Sequence, residues 1–132
     1  MNLVVCIDDR GGMLFNNRRQ SSDRYVTQRI LELTTGSRLL VDSYTAKLFD
    51  TGAVVCDNLL ESAQEQDYCF VENKDVASYV ERAEKIIVFR WNRTYPADLH
   101  FPSDALSERK LFHSEEFSGY SHERIIMEIY SW

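Results

Sequence analysis

Acidic residues follow several apolar runs of this sequence, and carboxylates in such positions are candidate ligands for a divalent cation. Asp8 and Asp9 come directly after the run Leu3–Ile7, while Asp42 and Glu72 follow two later runs. Because the carboxyl ends of parallel strands meet at one edge of a sheet, these side chains could gather there. Oxygen ligands of this kind bind Mg²⁺. One hypothesis is therefore a metal-dependent hydrolase or nuclease, although turn formation also explains each acid separately.

Arginines near the N-terminus are the second feature that could serve a chemical function. Positions 10 to 38 contain six arginines and two acids, a local balance of +4, whereas the whole chain has a net charge of −6. Arg18, Arg19 and Arg24 are the candidates for an anion-binding or partner-binding surface, and a solvated helix face is the alternative. The acidic net charge argues against bulk nucleic-acid binding.

The cysteines and histidines do not predict a metal or redox site. The three cysteines lie inside separate apolar runs, which is typical of reduced core residues. No histidine is four residues from another, as a helical zinc site would require. The residues concerned are Cys6, Cys56, Cys69, His100, His113 and His122.

Size and composition predict a globular protein. With 132 residues, 44% hydrophobic and 27% charged, the chain is expected to form one soluble domain over residues 1–132. The sequence begins with strand-like residues and shows no signal-peptide pattern, so a cytoplasmic location is expected.

The stretch from Tyr68 to Phe89 predicts the architecture. Tyr68–Val71 and Ile86–Phe89 are short apolar runs typical of buried strands. Between them, apolar residues at i, i+3, i+4 and i+7 predict a helix over 76–83, capped by Asn73 or Asp75. A strand–helix–strand unit dictates a parallel pair, so we expect an α/β domain with a mostly parallel central sheet.

The remaining patterns add elements on either side of this unit. A strand is predicted at Leu3–Ile7, then a loop without periodicity at Met13–Gln20, then a helix capped by Ser21 or Ser22 that ends near Gly36. An antiparallel hairpin is predicted at the C-terminus. The other predicted elements are strands at Arg38–Asp42, Ala53–Cys56, Glu108–Phe117 and Glu123–Tyr130, and short helices at Ser43–Phe49 and Asn58–Gln66.

In this order, the chain resembles dihydrofolate reductase. Phe70-Val-Glu-Asn73 lies where that family has Phe-Val-x-Gly-Gly, and Ala97-Asp-Leu-His-Phe-Pro102 is similar to its Gly-Asp-x-x-Phe-Pro. The segment Leu33–Thr45 resembles the end of the family's first helix and its second strand. Leu111–Phe117 is similar to its penultimate strand. The resemblance implies a three-layer fold of the reductase type, shortened around Phe49–Gly52.

The resemblance also implies where substrate and cofactor residues should be. Reductases of this family use a carboxylate at the start of the first helix to support protonation of the pterin. Alignment through Asn17 places Val26 at that position, and Asp23 serves only if the loop is three residues shorter. Thr45 corresponds to the threonine of the family's cofactor motif Gly-Arg-x-Thr. Its closing-loop Pro-Trp is replaced by Gln20-Ser21.

Departures from the family pattern weigh against NADPH. The cofactor motif reads Asp42-Ser43-Tyr44-Thr45, and the glycine pair is replaced by Glu72-Asn73. Phosphate binding needs glycines and positive charge, so two added acids oppose it. The leading hypothesis is a non-catalytic binding or interaction module with no cofactor. The alternative is a divergent NAD(P)H-dependent reductase or nucleotide-binding enzyme that uses Asp23 and Thr45.

An open crevice between the first helix and the sheet would favour the enzyme hypothesis.

Phe89, Trp91 and Tyr95 form an aromatic group that is either core packing or a binding surface.

Overall fold

A seven-stranded sheet forms the centre of the computed structural model, which describes residues 1–132. The strands are β1 (Asn2–Ile7), β2 (Gly12–Phe15), β3 (Arg18–Arg19), β4 (Leu39–Val41), β5 (Ala53–Val55), β6 (Tyr68–Phe70), β7 (Lys85–Arg90), β8 (Leu99–His100), β9 (Lys110–Phe117) and β10 (Ile125–Ser131). The helices are α1 (Arg24–Leu33), α2 (Leu59–Ser62) and α3 (Asp104–Ser107). Single 3₁₀ turns lie at Thr45–Leu48 and Val80–Arg82.

The strand order in the large sheet is β5-β4-β6-β1-β7-β10-β9. The five strands from β5 to β7 are parallel, and β10 pairs antiparallel with both β7 and β9. The predicted mostly parallel α/β sheet with a C-terminal antiparallel hairpin is therefore confirmed. Strands β2, β3 and β8 form a separate small sheet.

Both faces of the large sheet are covered by apolar side chains. Successive residues of a strand point to opposite faces, and in β1 the side chains of Leu3 and Val5 enter one core while Val4 enters the other. Val26 and Ile30 of α1 pack in the same core as Val4. The helix thus lies directly on the face of the sheet beside the carboxyl ends of β1 and β6.

The predicted helix over 76–83 is wrong, because the structure has only the 3₁₀ turn Val80–Arg82 there. The apolar pattern still marks burial, since Val80 and Ala83 are both in the core. The tertiary cause is Arg109, whose guanidinium donates to the carbonyls of Val80, Ala83 and Glu84 at 2.7, 2.5 and 3.1 Å. A distant side chain thus satisfies the carbonyls at the end of the turn.

The segment Met13–Gln20, predicted as a loop, instead contains the β2–β3 hairpin. Asn16 and Asn17 connect the two strands with φ values of 52° and 60°. Asparagine tolerates this left-handed conformation, and two such residues produce the tight turn that suits a hairpin.

Helix α1 is confirmed, but its N-cap is Asp23 rather than Ser21 or Ser22. The Asp23 carboxylate accepts a hydrogen bond from the Tyr25 N–H at 2.9 Å. Gly36 has φ +88°, but it lies two residues beyond the C-cap, which is Thr34 and not the predicted glycine. The predicted strands at Arg38–Asp42 and Ala53–Cys56 and the helix at Asn58–Gln66 are confirmed with narrower bounds, whereas Ser43–Phe49 contains only a 3₁₀ turn. Helix α3 and strand β8 were not predicted. None of the helices is long and apolar enough to span a bilayer.

Candidate functional site

The crevice between α1 and the sheet is almost filled. A cavity of only about 10 Å³ remains, enclosed by side chains that include Cys6, Val26, Phe70, Glu72 and Trp91. That volume holds about one water molecule. A planar heterocycle has no room to enter between the helix and the sheet.

Charged and polar side chains meet at the carboxyl ends of β4 and β6. Arg19 holds Glu72 in a two-pronged ion pair, with Nε–Oε2 and Nη2–Oε1 distances of 2.9 and 3.0 Å. Thr45 donates its hydroxyl to Glu72 at 2.9 Å and its backbone N–H to Asp42 at 2.8 Å. Lys74 donates to Asp42 at 3.1 Å. The side chains of Arg19, Thr45 and Glu72 are therefore already hydrogen-bonded to one another.

Three of the four proposed metal ligands, Asp8, Asp42 and Glu72, do follow neighbouring parallel strands, but their oxygens are already bonded within the protein. The two carboxylate oxygens of Asp8 accept the backbone N–H groups of Arg10, Gly12 and Tyr95 and the side-chain amide of Gln20, all within 3.0 Å. Asp9 is exposed. No three or more His, Cys, Asp or Glu side chains gather into a metal-binding group.

The predicted arginine surface is divided. Arg19 is bound to Glu72 and stacks on Tyr44, with the guanidinium carbon 4.4 Å from the ring centroid. Arg18 is exposed on β3. Arg24, at the start of α1, lies over the ring of Tyr120 at 4.3 Å. Of the three, only Arg24 lines a sizeable pocket.

That pocket lies outside the closed crevice and has a volume of about 420 Å³. Its two basic residues, Arg24 and Lys47, are exposed and form no salt bridge. Because of these two cations, we name this space the anion pocket. Its walls are Ser22, Asp23, Arg24, Thr27, Lys47, Leu48, Tyr120 and Ser121.

Asp23 is the most heavily hydrogen-bonded carboxylate at the site. Its Oδ1 accepts the backbone N–H groups of Tyr25 and Tyr120, both at 2.9 Å. Its Oδ2 accepts the Ser121 N–H at 2.9 Å, the Ser121 hydroxyl at 3.2 Å and His122 Nδ1 at 2.8 Å. Burial alone would raise the pKa of Asp23, but these donors together hold that pKa far below the ordinary value.

His122 extends this arrangement to a serine. Its Nε2 lies 2.8 Å from the hydroxyl oxygen of Ser21, and its ring stacks on Trp91 with centroids 4.7 Å apart. Sequence reasoning did not associate Ser21 with His122, because the two are 101 positions apart and no local spacing relates them.

Comparison with solved structures identifies the fold. Dihydrofolate reductase from Enterococcus faecalis, complexed with NADP(H) and RAB-propyl, is similar with a TM-score of 0.70, covering 98% of this chain and 94% of that chain. The chain has a dihydrofolate reductase-like fold. Altogether 206 solved chains match, while no sequence-family profile and no curated protein does. Sequence identity to the Enterococcus protein is 11%, so the likeness extends to the fold alone.

In this dihydrofolate reductase-like fold, both candidate positions for the substrate acid have structural roles. Val26 is 2% exposed and packs in the core under α1. Asp23 caps the helix and anchors the loop between β9 and β10. Of the aromatic group, Phe89 and Trp91 are buried and Tyr95 is half-buried, so core packing explains them better than an exposed binding surface does.

Gly119 allows the β9–β10 loop of the reductase-like fold to approach Asp23. A Cβ atom at this position would lie 2.5 Å from Asp23 Oδ2 and 2.7 Å from Ile125 Cδ1. We expect Gly119→Ala to lower the free energy of unfolding by about 1–3 kcal/mol, because the added methyl overpacks the site. Urea denaturation measures the change. The exposed neighbour variant Ser118→Ala should stay within about 0.5 kcal/mol of wild type, and equal effects in both variants would contradict the argument.

Proposed function

We propose that this chain is a dihydrofolate reductase-like domain that does not transfer hydride and instead binds a small anionic ligand in the anion pocket. One observation carries the proposal. The space between α1 and the sheet holds about one water, whereas the pocket just outside it is open, with a volume of about 420 Å³, and contains two basic side chains.

The closed crevice supports the loss of pterin chemistry. A reductase of this fold must place a heterocycle beside a hydride donor, and binding in the closed crevice would first require the core between Val26 and Phe70 to open. The cost would include exposing apolar surface that folding has buried. Glu72 and Asp42 place two carboxylates where the resemblance implies cofactor phosphates, and their ion pairs engage Arg19 and Lys74, so neither cation is free to bind a phosphate.

The charges around the anion pocket support an anionic ligand. Arg24 and Lys47 offer positive charge that no carboxylate neutralises, and the only acid in the wall, Asp23, is saturated by protein donors. The pocket also borders the N-terminus of α1, where the helix dipole favours negative charge. Its volume lies within the range of small-molecule sites, roughly 300–1,000 Å³.

A divergent NAD(P)H-dependent reductase is the second candidate, favoured by the fold that the chain shares with a reductase complexed with NADP(H). It predicts oxidation of NADPH that depends on dihydrofolate and is abolished by changes at Asp23 or Thr45. The two candidates differ in this measurement, because the first predicts no NADPH oxidation above the background of the two reagents.

Binding of citrate, measured by calorimetry at low ionic strength, tests the anion pocket. We expect saturable binding that weakens about tenfold in Lys47→Gln and in Arg24→Gln, since each change removes one attractive charge from the pocket. Arg18→Gln, which removes an exposed arginine outside the pocket wall, is the matched control and should bind as wild type does. Absence of binding, or equal weakening in all three variants, would refute the anion-binding proposal.

A further inference from the structure

Ser21, His122 and Asp23 form a continuous hydrogen-bonded chain that the binding function does not require. The distance from Ser21 Oγ to His122 Nε2 is 2.8 Å, and that from His122 Nδ1 to Asp23 Oδ2 is also 2.8 Å. We propose that Ser21 is a nucleophile that accepts an acyl group from an ester, with His122 as its general base and Asp23 as the group that orients His122. The inference is independent of what binds in the anion pocket.

The direction of the hydrogen bonds follows from the protonation state of Asp23. Its five protein donors keep the pKa of Asp23 low, so the carboxylate is ionised and accepts. His122 must therefore carry its proton on Nδ1. Ser121 Oγ also lies 3.2 Å from Nδ1, but this hydroxyl can donate to Asp23 at the same distance. In the tautomer with its proton on Nδ1, His122 keeps a lone pair on Nε2, which accepts a hydrogen bond from the Ser21 hydroxyl.

The base is held rigidly in this orientation. The His122 side chain is 5% exposed, and its ring lies against Trp91 with an interplanar angle of 27°. The backbone N–H groups of Tyr120 and Ser121 fix the carboxylate that holds Nδ1. A nucleophile within hydrogen-bond reach of a base that a third group orients is the arrangement expected for an activated serine.

Ser21 is partly exposed and lines the smaller of two adjoining spaces. It lines the one-water cavity, which shares Ser22, Asp23, Thr27 and Leu48 with the anion pocket. The two spaces therefore adjoin, and the open one offers room for an acyl group. The Ser21 hydroxyl is not needed to anchor the β9–β10 loop, because Asp23 already accepts five hydrogen bonds from protein groups.

Backbone groups near Ser21 are available for developing negative charge. The N–H groups of Ser22, Arg24 and Val26 donate to no acceptor within the protein. Arg24 and Val26 belong to the first turn of α1, whose positive end faces the segment that carries Ser21. Unpaired N–H groups at a helix N-terminus favour negative charge, which the oxyanion of an acyl transfer carries.

The proposed step balances without a cofactor. Ser21 Oγ forms a bond to the carbonyl carbon of the ester while its proton passes to His122 Nε2. The bond from that carbon to the leaving oxygen then breaks, and His122 returns the proton to the leaving group. Water can later attack the acyl-serine by the same route, which releases the carboxylic acid and restores the Ser21 hydroxyl.

Labelling of the full chain with a fluorophosphonate tests the nucleophile. Reaction forms a bond from Ser21 Oγ to phosphorus, releases fluoride, and should place one adduct on the peptide that contains Ser21. Ser21→Ala should abolish this adduct. Ser78→Ala is the matched control, because Ser78 is an exposed serine that lines neither space and has no hydrogen bond to His122, and it should be labelled like wild type.

The rate of labelling tests the role of His122 as the general base. Labelling of His122→Gln should be slower by about 10²–10⁴-fold, the range for general-base catalysis. Release of 4-nitrophenol from 4-nitrophenyl acetate should show a burst in wild type that Ser21→Ala lacks. Because the Ser21 and Ser78 variants keep the Asp23–His122 pair, the comparison holds even if His122→Gln unfolds. No labelling of folded wild type, equal labelling of Ser21→Ala, or an adduct on another residue would overturn the proposal.

Discussion

Asp23→Asn is expected to lower the free energy of unfolding by about 3–5 kcal/mol. The carboxylate is buried and accepts five hydrogen bonds that join the start of α1 to the β9–β10 loop. An amide has one acceptor oxygen, and its NH₂ group would face either donors of Ser121 and His122 or backbone N–H groups. Each buried donor left without an acceptor costs about 1–3 kcal/mol.

The same substitution should change the dependence of stability on pH. The pKa of Asp23 is depressed in the folded protein relative to its ordinary value of 3.8, so its contribution is complete above that value and is lost as pH falls toward the folded pKa. The stability difference between wild type and Asp23→Asn should therefore shrink below about pH 4.

Urea denaturation of both proteins between about pH 6 and about pH 3 measures this difference. The difference between the two proteins is used because the pKa values of Asp8, Asp42 and Asp67 are also lowered. Protonation of these three carboxylates therefore destabilises wild type and variant alike in acid. Asp50→Asn, at an exposed acid without a hydrogen bond, is the control. Stability curves of wild type and Asp23→Asn that run parallel down to about pH 3 would contradict the assignment.

Arg19→Met is the second change with a large expected effect, a loss of about 3–5 kcal/mol in the free energy of unfolding. Glu72 is 7% exposed and receives two hydrogen bonds from the guanidinium and one from Thr45. Without Arg19, the Glu72 carboxylate would be left beside Thr45 and the apolar wall of the closed crevice. The expected loss is large mainly because the Glu72 charge would be buried without compensation. The loss of the ion pair itself contributes less.

The double variant Arg19→Met, Glu72→Gln should recover most of that loss, because a neutral amide removes the buried charge and still accepts the Thr45 hydroxyl. Arg124→Met is the matched control, since it breaks the exposed ion pair with Glu116, whose side chains are 59% and 56% exposed. It should cost less than about 1 kcal/mol. Thermal and urea unfolding of all three variants measure the changes. A cost for Arg19→Met no larger than that for Arg124→Met would refute the argument.

Prediction from the sequence succeeded where the information is local. Leu3–Ile7 and the C-terminal strands are apolar runs with clear ends, and α1 has a stripe at helical spacing with Gly36 beyond it. The β2–β3 hairpin was missed, although its turn signal, Asn16-Asn17, is also local. The resemblance to dihydrofolate reductase also depended on local motifs, and the fold comparison confirms it.

The prediction of a helix over 76–83 was wrong for a reason that no local pattern of the sequence contains. Its apolar spacing correctly marks Val76, Val80 and Ala83 as buried, but helical spacing does not require a helix when another group satisfies the carbonyls. Arg109, more than twenty residues further along the chain, supplies those donors.

The sequence by itself therefore determined the class of sheet, the first helix and the departures at Glu72 and Asn73, because hydrophobic period and turn chemistry act over a few residues. Only the tertiary structure decided what the polar residues do. It paired Arg19 with Glu72, closed the crevice to about 10 Å³ and brought His122 between Ser21 and Asp23. These contacts join residues 53 to 101 positions apart, and their geometry depends on strand order and packing.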